Sequence, residues 1–301
     1  MSFHLEFSDN DRRWLTLRTK IVENHIKSAF QAFRKQNIEP ILIKGWAAAL
    51  EYPEKYQRTF IDIDLAVAPD FYKDALPLLS SGEMPAFNID LHCGLRHLDT
   101  LDWEILYANS RTVFLDEVPI RILSIEDHLR VLCVHWLTDG GAYKEKLLDV
   151  FYILENNKET FDWGKCLDPV SVRRREWIIK TVAVAHRIYG LDISRMPFAS
   201  DLEKVPEWML KALEREWASG TKLRDIHTVG GDKREFWNQL KKRLRPNPIQ
   251  ATVFMEGSFD APVRVFYQIG SFGLRLKGTA QRLILRIEKV LAAKTKNNVE
   301  R

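Results

Sequence analysis

The sequence predicts a mixed α/β front over residues 1–120, followed by a mostly helical domain over residues 121–301. Three observations predict it. The first stretch alternates in hydrophobic period between about 3.6 and 2, in the order helix, strand, helix, strand, helix, strand. Beyond Pro119 the periods become long and helical, with few strand candidates. Charge also changes sign: residues 1–120 hold 13 basic and 18 acidic side chains, whereas residues 221–301 hold 17 and 7. With 46% hydrophobic and 29% charged residues in 301, the chain is neither disordered nor fibrous. No apolar run reaches the ~18 residues of a membrane span, and the N-terminus lacks a signal-peptide pattern, so a cytoplasmic location is expected. Three widely spaced cysteines, Cys93, Cys133 and Cys166, suggest neither a disulfide framework nor a CxxC zinc site.

Taken in order, residues 11–35 place Trp14, Leu17, Ile21, His25, Ile26, Ala29 and Phe33 at steps of three and four, the stripe of an amphipathic helix. EPILIKG reads as a buried strand ending in a tight turn at Gly45, and Trp46–Tyr52 as a short helix stopped by Pro53. FIDIDLAV alternates, with Ile61, Ile63, Leu65 and Val67 on one face and Asp62 and Asp64 on the other, the pattern of a half-buried strand. Residues 70–79 form a further helix, and FNIDLHC alternates again with Asn88, Asp90 and His92 on one face. Ser124 and Asp127 make a capping box that opens a helix closed by Gly140 and Gly141. Helices are expected over 143–157, 170–189, 204–218, 232–244 and 279–294, while 246–275 fits neither period.

Two carboxylates on one strand face repel each other unless a cation neutralises them. Asp62, Asp64 and Asp90 together make an all-oxygen donor set suited to magnesium, or manganese in its place, of the kind used in two-metal phosphoryl and nucleotidyl transfer. Gly45 allows close backbone approach, the amides of Trp46 and Ala47 at a helix N-terminus are expected to meet phosphate oxygens, and Lys44 offers a point charge nearby. An isolated DxD or Lys-Gly pair is common on its own; the ordered constellation carries the signal.

These residues resemble the nucleotidyltransferase superfamily with a DNA-polymerase-beta-like core. Within it, KGWAAALEY, RTFIDIDLAV, NIDLHCGL, SIEDHLRVLCVHW and KLLDVFYIL look like the branch called uncharacterised nucleotidyltransferases, over about residues 40–155. The resemblance implies a nucleotidyltransferase fold, a small mixed sheet with flanking helices before a helical C-terminal domain. It also implies magnesium, a nucleoside triphosphate, and catalytic metal-binding roles for Asp62, Asp64 and Asp90 beside Lys44, Gly45, Trp46 and Arg58 as nucleotide-binding positions. Arg58, His135 and Asp149 are further motif positions, and His92, His135 and Asp149 are expected behind the metal ligands. Trp46 stands where many members carry serine or a second glycine.

The expected function is transfer of NMP from an NTP to a hydroxyl or phosphate of a small molecule or carrier, with release of pyrophosphate. The net +10 of residues 221–301 motivates a second reading, modification of RNA or protein in the manner of toxins. Trp46 motivates a third, a catalytically degenerate nucleotide-binding scaffold. Zinc on His92, Cys93, His97, Cys133 and His135 fits no strong spacing template. Lysines and arginines on solvated helix faces account for the tail charge most simply, as core packing does for the stripe Leu283, Ile284, Ile287, Val290 and Leu291.

Overall fold

The computed structural model describes residues 7–60, 62–80, 88–95, 101–202, 204–219, 234–235, 237–239 and 246–274. Backbone contacts divide the chain into one unit of residues 1–136 and 143–205 and another of 137–142 and 206–301. The first unit thus runs on past the composition change near residue 120.

That unit opens with α1 (Asp9–Lys35), whose Ser8 and Asp11 close a capping box. Its buried side is Val22, Ile26, Ala29, Phe30 and Phe33, while Trp14, Leu17 and Ile21 are exposed. The stripe read from the sequence therefore holds only in the second half of the helix. Thr19 and Glu23 turn inward in its place, because Glu23 accepts a hydrogen bond from the Trp46 indole at 3.0 Å.

After α1 come β1 (Ile41–Leu42), α2 (Trp46–Ala49), β2 (Ile63–Val67), α3 (Tyr72–Ala75) and β3 (Ile89–Cys93). Next are α4 (Trp103–Asn109), β4 (Arg111–Leu115) and β5 (Val118–Ile122). The strands form one mixed sheet in the order β3-β2-β1-β5-β4. β1 runs antiparallel to β2 and parallel to β5, while β2 and β3 are parallel. The β4–β5 hairpin was not anticipated, although RTVF and VPIRI alternate around Asp116, which takes a positive φ of 53° at the turn. Pro119 within the second run masks its strand character.

β2 is fully buried rather than half-buried, since the sheet is covered on both faces. Ile63, Leu65 and Val67 join the core under α1 and α2. Ala66 packs on the opposite side with Ile41, Ile43, Leu106 and Val131. Both Asp64 and its neighbours are thereby withdrawn from water.

The unit continues through α5 (Ile125–Thr138) as far as Trp136, then α6 (Leu147–Asn156), α7 (Trp163–Leu167), α8 (Val172–Tyr189) and α9 (Ala199–Leu202). The expected capping box is present, with Ser124 Oγ accepting from the Asp127 amide at 3.1 Å and donating to its carboxylate at 2.9 Å. Arg130 is buried against Asp127 and donates to the carbonyls of Lys165 and Cys166, tying α5 to α7. Gly190 ends α8 in the left-handed conformation expected of a C-cap.

The second unit contains α10 (Glu207–Ser219) and α11 (Pro248–Phe254), and residues 265–274 are helical. Helices thus occupy much of the stretch that fits neither period. Asn247 caps α11 and donates to the Gly140 carbonyl at 3.0 Å, and Trp217 donates to that of Gly141 at 2.8 Å. The helix expected over 279–294 and most of that over 232–244 lie outside the described residues. No helix among the described residues is long and apolar enough to cross a membrane.

Candidate active site

The parallel register of β2 and β3 sets Asp64 directly opposite Asp90. Strand alternation then places His92, two residues beyond Asp90, on the same face. His92 pairs with Ala66, a small residue two positions beyond Asp64 on the same face of β2. Its Nε2 lies 3.2 Å from Asp64 Oδ1 and 3.3 Å from Asp90 Oδ2. Asp64, Asp90 and His92 each offer a ligand atom, and these atoms all lie within 4.8 Å of one another.

Lys44, at the end of the segment after β1, completes the cluster. Its Nζ sits 2.6 Å from Asp64 Oδ1, with the two side chains 10% and 5% exposed. Burial alone would raise the Asp64 carboxyl, but the His92 hydrogen bond and the Lys44 ammonium outweigh it and hold the group down to about 2. Asp64 is therefore an ionised carboxylate in a nearly dry place, the chemistry that a divalent cation meets.

Asp62 departs from the expected trio. It precedes the first residue of β2 and is not among the ligand atoms that converge within 4.8 Å; His92 takes that third place. Its field still reaches the cluster: burial raises its carboxyl, and the charges of Asp64 and Asp90 raise it further. Asp62 is thus a half-buried acid at the margin of the site.

Gly45 turns the chain from β1 into α2 with φ +54°, a conformation that side chains rarely adopt, and a Cβ there would stand 3.4 Å from the Phe60 ring. The Ala47 amide is already bonded to the Lys44 carbonyl at 3.0 Å. That amide is taken, contrary to the expectation that it meets phosphate. The Trp46 side chain is buried, held by Glu23 Oε1 with the Lys55 ammonium 5.1 Å above the ring.

Arg58 binds not at the carboxylate cluster but on α6. Its Nε and Nη2 donate to Asp149 Oδ1 and Oδ2 at 2.7 and 2.9 Å, a two-pronged buried pair, and Tyr52 donates to Oδ1 at 2.6 Å. Burial opposes the Arg58 charge, yet Asp149 outweighs it and raises the guanidinium above its ordinary value. Asp149 is therefore committed to Arg58 and Tyr52, and its charge also supports His128. His128 is fully buried, and burial lowers its imidazole to about 4. Half-buried His135 on α5 is lowered to about 3, first by burial and then by the cations of Lys44 and Lys146, while Asp64 pulls the other way. It lies within the field of the carboxylate cluster.

Sequence reasoning did not reach Tyr52 or His128, nor the Arg58–Asp149 pair, whose members are 91 residues apart. For zinc, Cys133 is buried with its thiol raised well above the ordinary value, Cys93 is exposed, and His97 lies outside the described residues. Among the described residues the converging group contains no cysteine.

Comparison with protein families places these residues in context. The family described as Uncharacterised nucleotidyltransferase matches residues 8–190, which include every site residue named above. No curated protein and no solved structure matches the chain. More than half of the sequence falls within the match, and the chain belongs to that family.

Proposed function

From that membership we propose that the chain transfers NMP from a nucleoside triphosphate to a hydroxyl or phosphate of a small molecule or carrier, using magnesium or manganese. The observation that carries this reading is the in-register pair Asp64 and Asp90 with His92, beside a lysine, on the strands that follow the family's glycine turn. The donor set fits a divalent cation: two carboxylates, one of them held ionised, converge with a neutral-capable nitrogen. When bound, the cation neutralises triphosphate charge and lowers the pKa of an acceptor hydroxyl.

The chain's own residues do the rest. Asp64 and Asp90 hold the cation site, and Asp62 adds negative charge at its margin. Lys44, released from Asp64 when a cation takes that carboxylate, turns its ammonium to the triphosphate. Gly45 keeps side-chain bulk out of the turn that the phosphates approach. Asp90, the most exposed of the three acids, is open to the acceptor and helps remove its proton as the acceptor oxygen attacks the α-phosphorus. The bond from that phosphorus to the bridging oxygen breaks, and pyrophosphate leaves. Arg58 is a positioning residue: through Asp149 it anchors the segment before β2 to α6.

The test is pyrophosphate release from each of the four NTPs, with a panel of sugar, alcohol and phosphate acceptors, by wild type and by Asp62→Asn with Asp64→Asn. Losing several kcal/mol of transition-state stabilisation predicts a fall of more than about 100-fold. Wild-type turnover in the double variant would sink the proposal.

A further inference from the structure

The donor set that converges is not the all-carboxylate one. Asp62 stands outside it, and the third atom within 4.8 Å is the Nε2 of His92. Three features of the sheet bring this about. Asp90 and His92 share one face of β3, and Asp90 is exposed on it. The parallel register sets Ala66, a small residue on the same face as Asp64, opposite His92. The imidazole is only 20% exposed, and its Nε2 lies almost equally far from two carboxylate oxygens, at 3.2 and 3.3 Å. A ring nitrogen centred between two acids is where a cation shared by all three would take its nitrogen ligand.

Resting on the nucleotidyltransferase reading of the same cluster, we propose that His92 binds the cation directly through Nε2, making a two-carboxylate, one-imidazole site that favours manganese over magnesium. Magnesium takes oxygen ligands and keeps its water, and imidazole adds little for it. Manganese accepts carboxylate and imidazole together and dehydrates more readily. Occupation removes the contacts that Nε2 makes with the acids, because its lone pair is used by the metal. The ring then needs the tautomer protonated at Nδ1. A merely orienting histidine would instead keep Nε2–H and donate it to the carboxylates, with no bond to the ion.

The two roles differ in a magnetic signal. Manganese alone, without nucleotide so that no base nitrogen is present, is bound to the full chain and read by pulsed electron paramagnetic resonance. Direct ligation predicts ¹⁴N modulation from one imidazole in wild type, its loss in His92→Gln, and retained modulation in His135→Gln. Competition adds a second readout: in His92→Asp the preference for manganese over magnesium falls by about tenfold or more. Manganese that binds wild type and is lost in Asp64→Asn, yet shows no ¹⁴N modulation, overturns the ligand role of His92 while leaving the metal cluster standing. Modulation that persists in His92→Gln does the same. No manganese binding to wild type overturns this inference, whereas the reading on which it rests falls only if no nucleotide binds with metal present.

Discussion

Lys44→Met isolates the cation that the protein itself carries. Lys44 Nζ and Asp64 Oδ1 are 2.6 Å apart, with their side chains 10% and 5% exposed. At an effective dielectric of about 20 their gross attraction is about 6 kcal/mol, an upper bound on what the pair contributes. Desolvation offsets part of it, and removing one partner of a buried pair costs about 3–5 kcal/mol. Because His92 still shares the Asp64 oxygen, the lower end, about 3 kcal/mol, is expected. At ~2–4 °C per kcal/mol for a unit of this size, the metal-free variant melts about 6–12 °C below wild type. Manganese reverses the order of effects. In wild type the ion must displace the ammonium, whereas in the variant it meets bare carboxylates, so it binds tighter by up to about 100-fold. Differential scanning calorimetry without metal and manganese titration without nucleotide read the two quantities. Equal melting temperatures together with equal manganese affinity would refute the claim that Lys44 neutralises Asp64 in the metal-free protein.

Two further outcomes follow from buried groups outside the cluster. Asp149→Asn leaves the Arg58 guanidinium buried without its counter-charge and costs about 3–5 kcal/mol, whereas Tyr52→Phe removes one hydrogen bond to a carboxylate and costs about 1.5–3 kcal/mol. Urea unfolding ranks them, and an Asp149→Asn variant as stable as wild type contradicts the anchoring role. His128 is neutral in the fold, lowered to about 4 from an ordinary value of 6.5. The unfolded chain binds that proton first, so the stability from the neutral ring is complete above about pH 6.5 and is lost as pH falls toward about 4, by about 3 kcal/mol in all. His128→Leu flattens that arm between pH 7 and 5, and parallel urea midpoints for the two proteins would contradict it.

Much of the front sheet was legible because its strands declare themselves locally. EPILIKG, FIDIDLAV and FNIDLHC each carry a run or alternation that needs no distant partner to be read. The hairpin of β4 and β5 escaped because Pro119 interrupts its second run, and β5 becomes a central strand only through its parallel pairing with β1. Alternation also placed Asp64, Asp90 and His92 on their faces. It does not say which acid converges: Asp62 shares a face with Asp64 in sequence, yet stands before the strand begins. Nor does spacing reveal long-range partners. Glu23 reaches Trp46 across 23 residues, and Arg58 reaches Asp149 across 91, through contacts that only the packed chain sets. The inward face of α1 follows from the first of these, which is why its early stripe misled.

The central claim is that the Asp64 cluster takes a divalent cation together with a triphosphate. Its most direct test is calorimetric titration of ATP, GTP, CTP and UTP, with and without magnesium or manganese, into wild type and Asp64→Asn. The account predicts that at least one nucleotide binds wild type only when the metal is present, and that Asp64→Asn abolishes this binding. Absence of nucleotide binding under every condition, or metal-independent binding that survives in Asp64→Asn, would contradict it.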